Sequence, residues 1–330
     1  MEYRDALIFG AAAAAALLAY RSYKSHEAPS PTTFTVLSWN VLAREFTMFN
    51  KEEPGCVRGH HNPDDKLESR AQTAARYGLA TDALLARAPD AVLLQELSVD
   101  FFDGDVNPRA DALLALFRVA HKIHSPGKPG TAVLLRKDSP LEFTGTVLSA
   151  GASEELTGGT SKSACGVLVT VAGRGTTAPT AIWLISLHMA PHKYNPQGAS
   201  KLLELIGDSY RHACLVENAP AARVVLGGDF NAEPHEMDTL QREAPFLGGL
   251  LARLVPPGPT GLSADFGHEE TIDHLLLSPG LHLQGPMEME RRPAGGPYAA
   301  LAAGGAGVGG AASVVAPSDH VWQSIRVALA

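Results

Sequence analysis

Residues 224–236 read VVLGGDFNAEPHE. Val224, Val225 and Leu226 form a short apolar run of the kind that makes a buried strand. Gly227 and Gly228 then remove side chains where the chain is expected to leave its sheet, letting backbone approach a ligand closely. Asp229 and Asn231 follow, two residues apart, and in an extended segment that spacing puts an anionic oxygen and an amide on one side. Such a pair can hold a hard cation, an attacking water or a phosphate oxygen. A strand followed by an Asx turn accounts for the same residues by local preference. The rest of the chain has to decide between them.

The chain has 330 residues, 45% apolar and 19% charged, which excludes a mainly disordered protein. Its length fits one large α/β domain with a tail, or two domains. The net charge of −8 gives no sign of the extended basic face used for sequence-independent DNA binding, though a local basic groove is compatible with it. Cys56, Cys165 and Cys214 are odd in number and far apart. They suggest neither a zinc site nor a disulfide framework, and read as reduced, buried thiols in a cytosol-like compartment.

Ala6–Tyr20, ALIFGAAAAAALLAY, carries no charge but falls short of the roughly 20 apolar residues of a full membrane span. Glu2, Arg4 and Asp5 give it a net negative start, unlike a secretory signal or a transit peptide. Arg21 and Lys24 follow the run, so an anchored chain would keep its C-terminal part on the cytosolic side. A membrane anchor, a cleaved targeting sequence and a loose soluble helix are the three readings of residues 1–25. His26–Thr33, HEAPSPTT, is a polar linker, leaving 34–330 as the folded domain.

Phe34–Trp39 alternates like a strand and delivers Asn40. Residues 43–66 are polar and irregular, and His60-His61 within them reads as surface loop. Glu68–Ala88 has helical spacing, with Tyr77, Thr81, Leu84 and Ala88 on one stripe, and Pro89 ends it. Ala91–Leu94 is a buried strand with Gln95-Glu96 at its exit. Thr131–Leu135, Gly166–Val171 and Ala181–Leu187 are further strands, the last delivering His188, and Lys201–Arg211 is a helix. Thr271–Leu277 places Asp273 in an apolar strand, where a carboxylate needs a partner. Arg291–Pro317 is a Gly/Ala/Pro-rich loop. It runs into Pro317-Ser318-Asp319-His320 and a last strand, Val321–Val327.

The pieces SWNVLA (38–43), PDAVLLQEL (89–97), LHM (187–189), GGDFNAEP (227–234), TIDHLLLS (271–278) and PSDHV (317–321) occur together and in order. In that combination the chain resembles the endonuclease/exonuclease/phosphatase superfamily of metal-dependent phosphodiesterases. The resemblance implies a four-layer α/β sandwich, two mixed β-sheets packed face to face with helices outside, and a site where the strand exits gather. It implies Mg²⁺, for which Mn²⁺ can substitute, held by Glu96 with Asn40 beside it and Asp319 near. Asp229 would orient or deprotonate the attacking water, Asn231 hold a phosphate oxygen, and His320 contact the scissile phosphate. Asp273 would pair with His320, and His188 would be a second phosphate-facing group. Asp229 and His320 both stay open as the general base.

WNVLA, the ESRAQTAARYG helix, PDAVLLQE and PSDH resemble the nocturnin-like deadenylase branch, which implies RNA as substrate and 3′-exonuclease action. LISLHM departs from the Asn-Thr or Thr-Thr pair usual before that histidine, and the leucine-rich repeats of some deadenylases are absent. TGGTSKSACGV (157–167) offers Lys162 to a phosphate and also reads as a hairpin-like turn. A phosphodiesterase acting on a lipid headgroup or inositol phosphate is the alternative, favoured by the apolar N-terminus. A binding module without activity would need a broken site, and each position that can be placed carries a competent residue.

Overall fold

The computed structural model describes residues 32–43, 70–125, 128–151, 163–172, 179–190, 196–216, 222–248, 252–262, 269–289, 318 and 320–329. Strands dominate it, and their side chains alternate between two faces. The first sheet holds β1 (Thr33–Asn40), β2 (Ala91–Leu97), β3 (Phe117–Ser125) and β4 (Lys128–Arg136). The second holds β5 (Leu141–Gly151), β6 (Ser163–Val171), β7 (Thr180–His188) and β8 (Arg223–Asp229), followed by β9 (Ala252–Leu254). A two-stranded ribbon, β10 (Gly261–Leu262) with β11 (Glu269–Glu270), leads into β12 (Asp273–Leu277) of the second sheet. The chain then returns to the first sheet through β13 (Leu281–Leu283), β14 (Glu288–Met289) and β15 (Gln323–Leu329). The orders are β13-β15-β1-β2-β4-β3, with β14 on β15, and β5-β6-β7-β8-β12-β9. Both sheets are mixed: β1–β2 and β7–β8 are parallel, and the other pairs are antiparallel.

Three apolar layers hold four structural ones together. Val36, Leu93 and Val133 of the first sheet meet Val167, Leu184, Val225 and Leu275 of the second in the central layer. Outside the first sheet, α1 (Arg70–Arg87) and α2 (Ala110–Leu116) bury Tyr77, Leu84 and Leu113 on Leu37, Trp39, Val92 and Leu94. Outside the second, α3 (Pro196–Val216) and α4 (Pro234–Glu243) bury Leu203, Ile206, Met237 and Leu240 on Trp183, Ile185 and Val224. Each strand therefore sends odd and even residues into different layers, which fixes its register.

The predicted helices and strands are present with shifted ends, and seven strands are additional, β3, β5, β9, β10, β11, β13 and β14, as are the helices α2 and α4. β3, FRVAHKIHS, is an edge strand whose cations mask the alternation. β5 slips between Phe143 and Val147, where Gly145 has φ +95°, and the irregularity breaks its period. Gly227 and Gly228 are not the point where the chain leaves the sheet, since β8 continues through both to Asp229. Their missing side chains serve packing instead. A Cβ on Gly227 would lie 2.6 Å from Leu275 Cδ2, and one on Gly228 1.9 Å from the Leu187 carbonyl oxygen. Asp273 opens β12 rather than lying within it, and Ser163–Val167 of the expected turn belongs to β6. Cys165 and Cys214 are free and buried, and burial pushes the Cys165 thiol up to about 12. Residues 1–25, most of the 26–33 linker, Cys56, His60-His61, Lys162, Asp319 and the Arg291–Pro317 loop lie outside the described residues. No described helix is long and apolar enough to cross a membrane.

Candidate active site

Strand register brings the polar strand ends to one level. In the first sheet Asn40 pairs with Gln95, beside Glu96. In the second, His188 pairs with Asp229 and Asp229 with Asp273. Because side chains two apart share a face, the inward face of each strand changes from apolar to polar at this end. Val36 gives way to Ser38 and Asn40, Leu184 to Ser186 and His188, and Val225 to Gly227 and Asp229. Asn40, His188, Asp229, Asp273 and His320 are all at most 4% exposed, and Glu96 is 8% exposed.

Asn40 joins the two sheets. Its Nδ2 donates to Glu96 Oε1 at 3.0 Å and to Asp229 Oδ2 at 2.9 Å. Its Oδ1 accepts from the Leu42 N–H at 3.0 Å, a contact that fixes the amide orientation, since an N–H can meet only the oxygen. As placed, the amide faces both carboxylates with its nitrogen. Glu96 sits at a register shift between β2 and β4 with φ +50°, which turns its carboxylate inward, and Oε2 accepts from the Ala43 N–H at 3.3 Å. His188 Nε2 lies 3.6 Å from both Glu96 Oε1 and Asp229 Oδ2. One donor atom from each of Glu96, His188 and Asp229 falls within a mutual 4.8 Å. Among the described residues no lysine or arginine pairs with Glu96. Two buried carboxylates held side by side by the Asn40 amide concentrate negative charge at one point, and their oxygens suit a hard divalent cation, so these residues fit the implied metal.

On the other side, His320 Nδ1 meets Asp273 Oδ2 at 2.8 Å. That bond places the proton on Nδ1 and makes Nε2 the accepting nitrogen of the ring, 3.9 Å from Asp229 Oδ2 and 3.4 Å from Asn40 Nδ2. Asp229 Oδ1 accepts from the Asn231 N–H at 2.8 Å, and Asn231, at φ +47°, donates its Nδ2 to the Met189 carbonyl at 2.9 Å. The structure thus gathers Asn40, Glu96, His188, Asp229, Asn231, Asp273 and His320 at one place.

Several supporting residues were not among the sequence candidates. Ser318 Oγ donates to the Asn40 carbonyl at 2.6 Å and accepts from the His320 N–H at 3.1 Å. Trp39 Nε1 donates to the His320 carbonyl at 3.1 Å. These bonds join the first and last motifs of the chain. Thr260 Oγ1 accepts from the Ile272 and Asp273 N–H groups, while its carbonyl accepts from Val321 N–H. Arg76, 2% exposed, donates to the Val41 and Leu42 carbonyls and so fixes the segment that reaches Glu96. His274 Nε2 meets the Ala232 carbonyl at 2.8 Å behind the Asp229–Asn231 turn. Burial holds the His274 pKa below the ordinary histidine range. The alternation within SW and within LISLH contains the signal for Ser38 and Ser186. Thr260, after a run of prolines and glycine, has none.

A model of the endonuclease/exonuclease/phosphatase family matches residues 37–320. No curated protein sequence matches the chain. Among similar solved structures, ANGEL2, described as a 2′,3′-cyclic phosphatase in complex with adenosine-2′,3′-vanadate, gives a TM-score of 0.61 at 14% identity, covering 92% of this chain and 97% of that one. TDP2 from D. rerio with a single-strand DNA product gives 0.57 at 15%, covering 90% and 99%. The human nocturnin catalytic domain gives 0.54 at 15%, covering 91% and 94%. At these identities the similar structures establish the fold, and the family model, spanning the first site motif to the last, shows that this chain belongs to the endonuclease/exonuclease/phosphatase family.

Proposed function

We propose that the chain is a divalent-metal-dependent phosphodiesterase acting on nucleic acid, a 3′-exoribonuclease of deadenylase type using Mg²⁺. The observation that carries this reading is the meeting of Glu96, His188 and Asp229 within 4.8 Å beside an imidazole already oriented by Asp273. Glu96, Asp229 and His188 would hold a divalent ion, which when bound would supply polarisation of the phosphoryl group and stabilisation of the leaving oxygen. The protein does the rest. Asn40 keeps the two carboxylates together, and Asn231 has one amide hydrogen left for a phosphate oxygen. The attacking water would be met from one side by Asp229 Oδ2 and His320 Nε2, 3.9 Å apart, and one of them would take its proton. Asp273 keeps His320 in the tautomer that can accept it.

Charge distribution supports a polyanionic substrate. Residues 119–130, most of β3 and the start of β4, contain Lys122 and Lys128 and no Asp or Glu, in a chain of net −8. Lys122 is exposed on β3 opposite Ala132, level with Leu94 of β2, and the β3–β4 hairpin beyond it ends at the same end of the sheet as Glu96, since Leu97 pairs with Gly130. The nucleotide and DNA ligands of the ANGEL2 and TDP2 structures agree with this class of substrate. The test is hydrolysis, with and without Mg²⁺ or Mn²⁺, of 5′-labelled oligo(A) RNA, matched DNA, sphingomyelin and inositol phosphates, comparing the full chain with Glu96→Gln. A metal-dependent ladder of shortened RNA that the variant lacks is expected. Turnover of the lipid or inositol substrates alone would replace the nucleic-acid assignment.

A further inference from the structure

The site is divided between two sheets, Asn40 and Glu96 on one and His188, Asp229 and Asp273 on the other. Apolar contacts hold sheets together without fixing their offset, because they have no direction, whereas a working metal site tolerates about 0.5 Å of error. Directly beneath the site the central layer stops being apolar. Gln95, fully buried, reaches across from β2 and donates Nε2 to Ser186 Oγ on β7 at 2.9 Å. Ser186 Oγ returns its own proton to the Leu94 carbonyl on β2 at 2.8 Å. The link is closed in both directions, and Ser38 Oγ lies 3.4 Å from the same Nε2. Gln95 immediately precedes Glu96, and Ser186 is two residues before His188, on its face.

A second glutamine repeats the arrangement at the other side. Gln323 on β15 of the first sheet, also fully buried, donates Nε2 to the Asp273 carbonyl on β12 of the second at 3.0 Å. An apolar residue of the same size would fill either position without the cost of burying an amide. Buried polar groups retained at that cost mark a requirement for specific geometry.

We infer that Gln95 with Ser186, and Gln323 with the Asp273 carbonyl, are inter-sheet clasps that set the separation of the two half-sites. They are positioning residues. The first governs the metal-binding side and the second the Asp273–His320 side. The inference rests on the metal-dependent reading of the site, and the following measurements separate the two.

The full-length chain and the variants Gln95→Met, Ser186→Ala, Ser186→Thr, Gln95→Met/Ser186→Ala and Gln323→Met are compared. The readouts are the Mn²⁺ concentration at the midpoint of the metal-induced rise in Tm, and kcat and KM on bis-p-nitrophenyl phosphate. Gln95→Met and Ser186→Ala should each raise the Mn²⁺ midpoint about tenfold. Ser186→Thr, which keeps the hydroxyl, should restore it to within about twofold, and the double variant should be no worse than either single one. Gln323→Met should leave the midpoint in place and lower kcat about tenfold with KM within about twofold. Variants that lose Tm but keep wild-type Mn²⁺ midpoints and kcat overturn the clasps as positioning devices. A wild type that binds Mn²⁺ without hydrolysing phosphodiesters removes the proposed activity, and the Mn²⁺ midpoints then decide the first clasp by themselves. A wild type with neither response overturns both.

Discussion

The two glycines before Asp229 are adjacent, yet replacing each by alanine should have very different consequences. A Cβ on Gly227 would stand 2.6 Å from Leu275 Cδ2, 2.9 Å from Leu93 Cδ1 and 3.4 Å from Ser38 Cβ. The two leucine contacts are each about 1 Å inside ordinary carbon–carbon separation. Both leucines are fully buried, so they have to rotate within a packed layer, and overpacking of this kind costs about 1–3 kcal/mol. At 2 kcal/mol, Tm should fall by roughly 4–8 °C for a domain of this order of size. On Gly228 the added atom would meet the Leu187 carbonyl oxygen at 1.9 Å and its carbon at 2.8 Å. That neighbour is the backbone of β7, paired in register with β8, and no rotamer change relieves it. The ladder would have to open beside the strand end that carries Asp229, at a cost above about 4 kcal/mol. Thermal unfolding followed by circular dichroism, in excess chelator so that metal binding does not contribute, measures both. Gly227→Ala should fold with a lowered Tm, and Gly228→Ala should fail to give a cooperative transition. Equal stability of the two variants would refute the assignment of backbone and side-chain neighbours at this end of β8.

Glu96→Gln should abolish the Mn²⁺-induced rise in Tm and lower hydrolysis by about 10²–10³-fold, while Tm in chelator stays level or rises, since one of two neighbouring buried carboxylates is gone. A variant that still binds Mn²⁺ like wild type would remove Glu96 from the metal set. Asp273→Asn should lower kcat by about 10²–10⁴-fold and leave the Mn²⁺ midpoint unmoved, because it acts through His320; kcat within twofold of wild type would disprove the dyad. For His274 the pKa lies below the ordinary 6.5 through burial, so the unfolded chain takes up a proton near that pH that the folded chain refuses. Stability should therefore be full above about pH 6.5 and decline as pH falls from there toward the depressed folded value. His121, also lowered by burial, adds in the same direction. Urea midpoints at pH 7.5 and 5.5 should show a smaller decline in His274→Gln than in wild type, and equal declines would exclude the buried ring as a source.

Much of the fold was legible because the buried strands are almost wholly apolar and end on a single polar residue. Trp39-Asn40, Leu187-His188 and Gly228-Asp229 each mark both a strand and its exit. The edge strands were harder. β3 carries Arg118, His121, Lys122 and His124, because an edge facing solvent gains from cations that discourage further pairing, and that same feature hides its period. Site residues were found where a polar group interrupts an apolar strand, and Asp273 was recognised as needing a partner from the cost of burial alone. What the sequence concealed was the layer below. Alternation places Ser38 and Ser186 on the inward face, but only the packing of one sheet on the other shows that they meet Gln95. Thr260 is beyond sequence reasoning for the same cause, since its bonds to Asp273 and Val321 join segments that are distant in the chain.

Backbone strain follows the same geography. Among the described residues, non-glycine positions with positive φ are Leu42, Ala88, Glu96 and Asn231. Ala88 closes α1 ahead of Pro89, an ordinary left-handed helix end. The other three all border the site, and each such conformation costs on the order of 1–3 kcal/mol. Each is held by the site's own bonds. Leu42 N–H is fixed on Asn40 Oδ1 while Arg76 grips the Leu42 carbonyl. Asn231 is tied to Asp229 and to the Met189 carbonyl. Glu96 accepts from Asn40 and Ala43. An unstrained exit from β2 would continue the alternation and, with Gln95 inward, turn the side chain of residue 96 toward the helices. The left-handed turn at Glu96 is what lets Gln95 and Glu96 both face inward, one to join the sheets and the other to present its carboxylate. Strain, clasp and charge cluster are therefore parts of a single arrangement, in which the bonds that hold the carboxylates in place also hold the backbone that aims them.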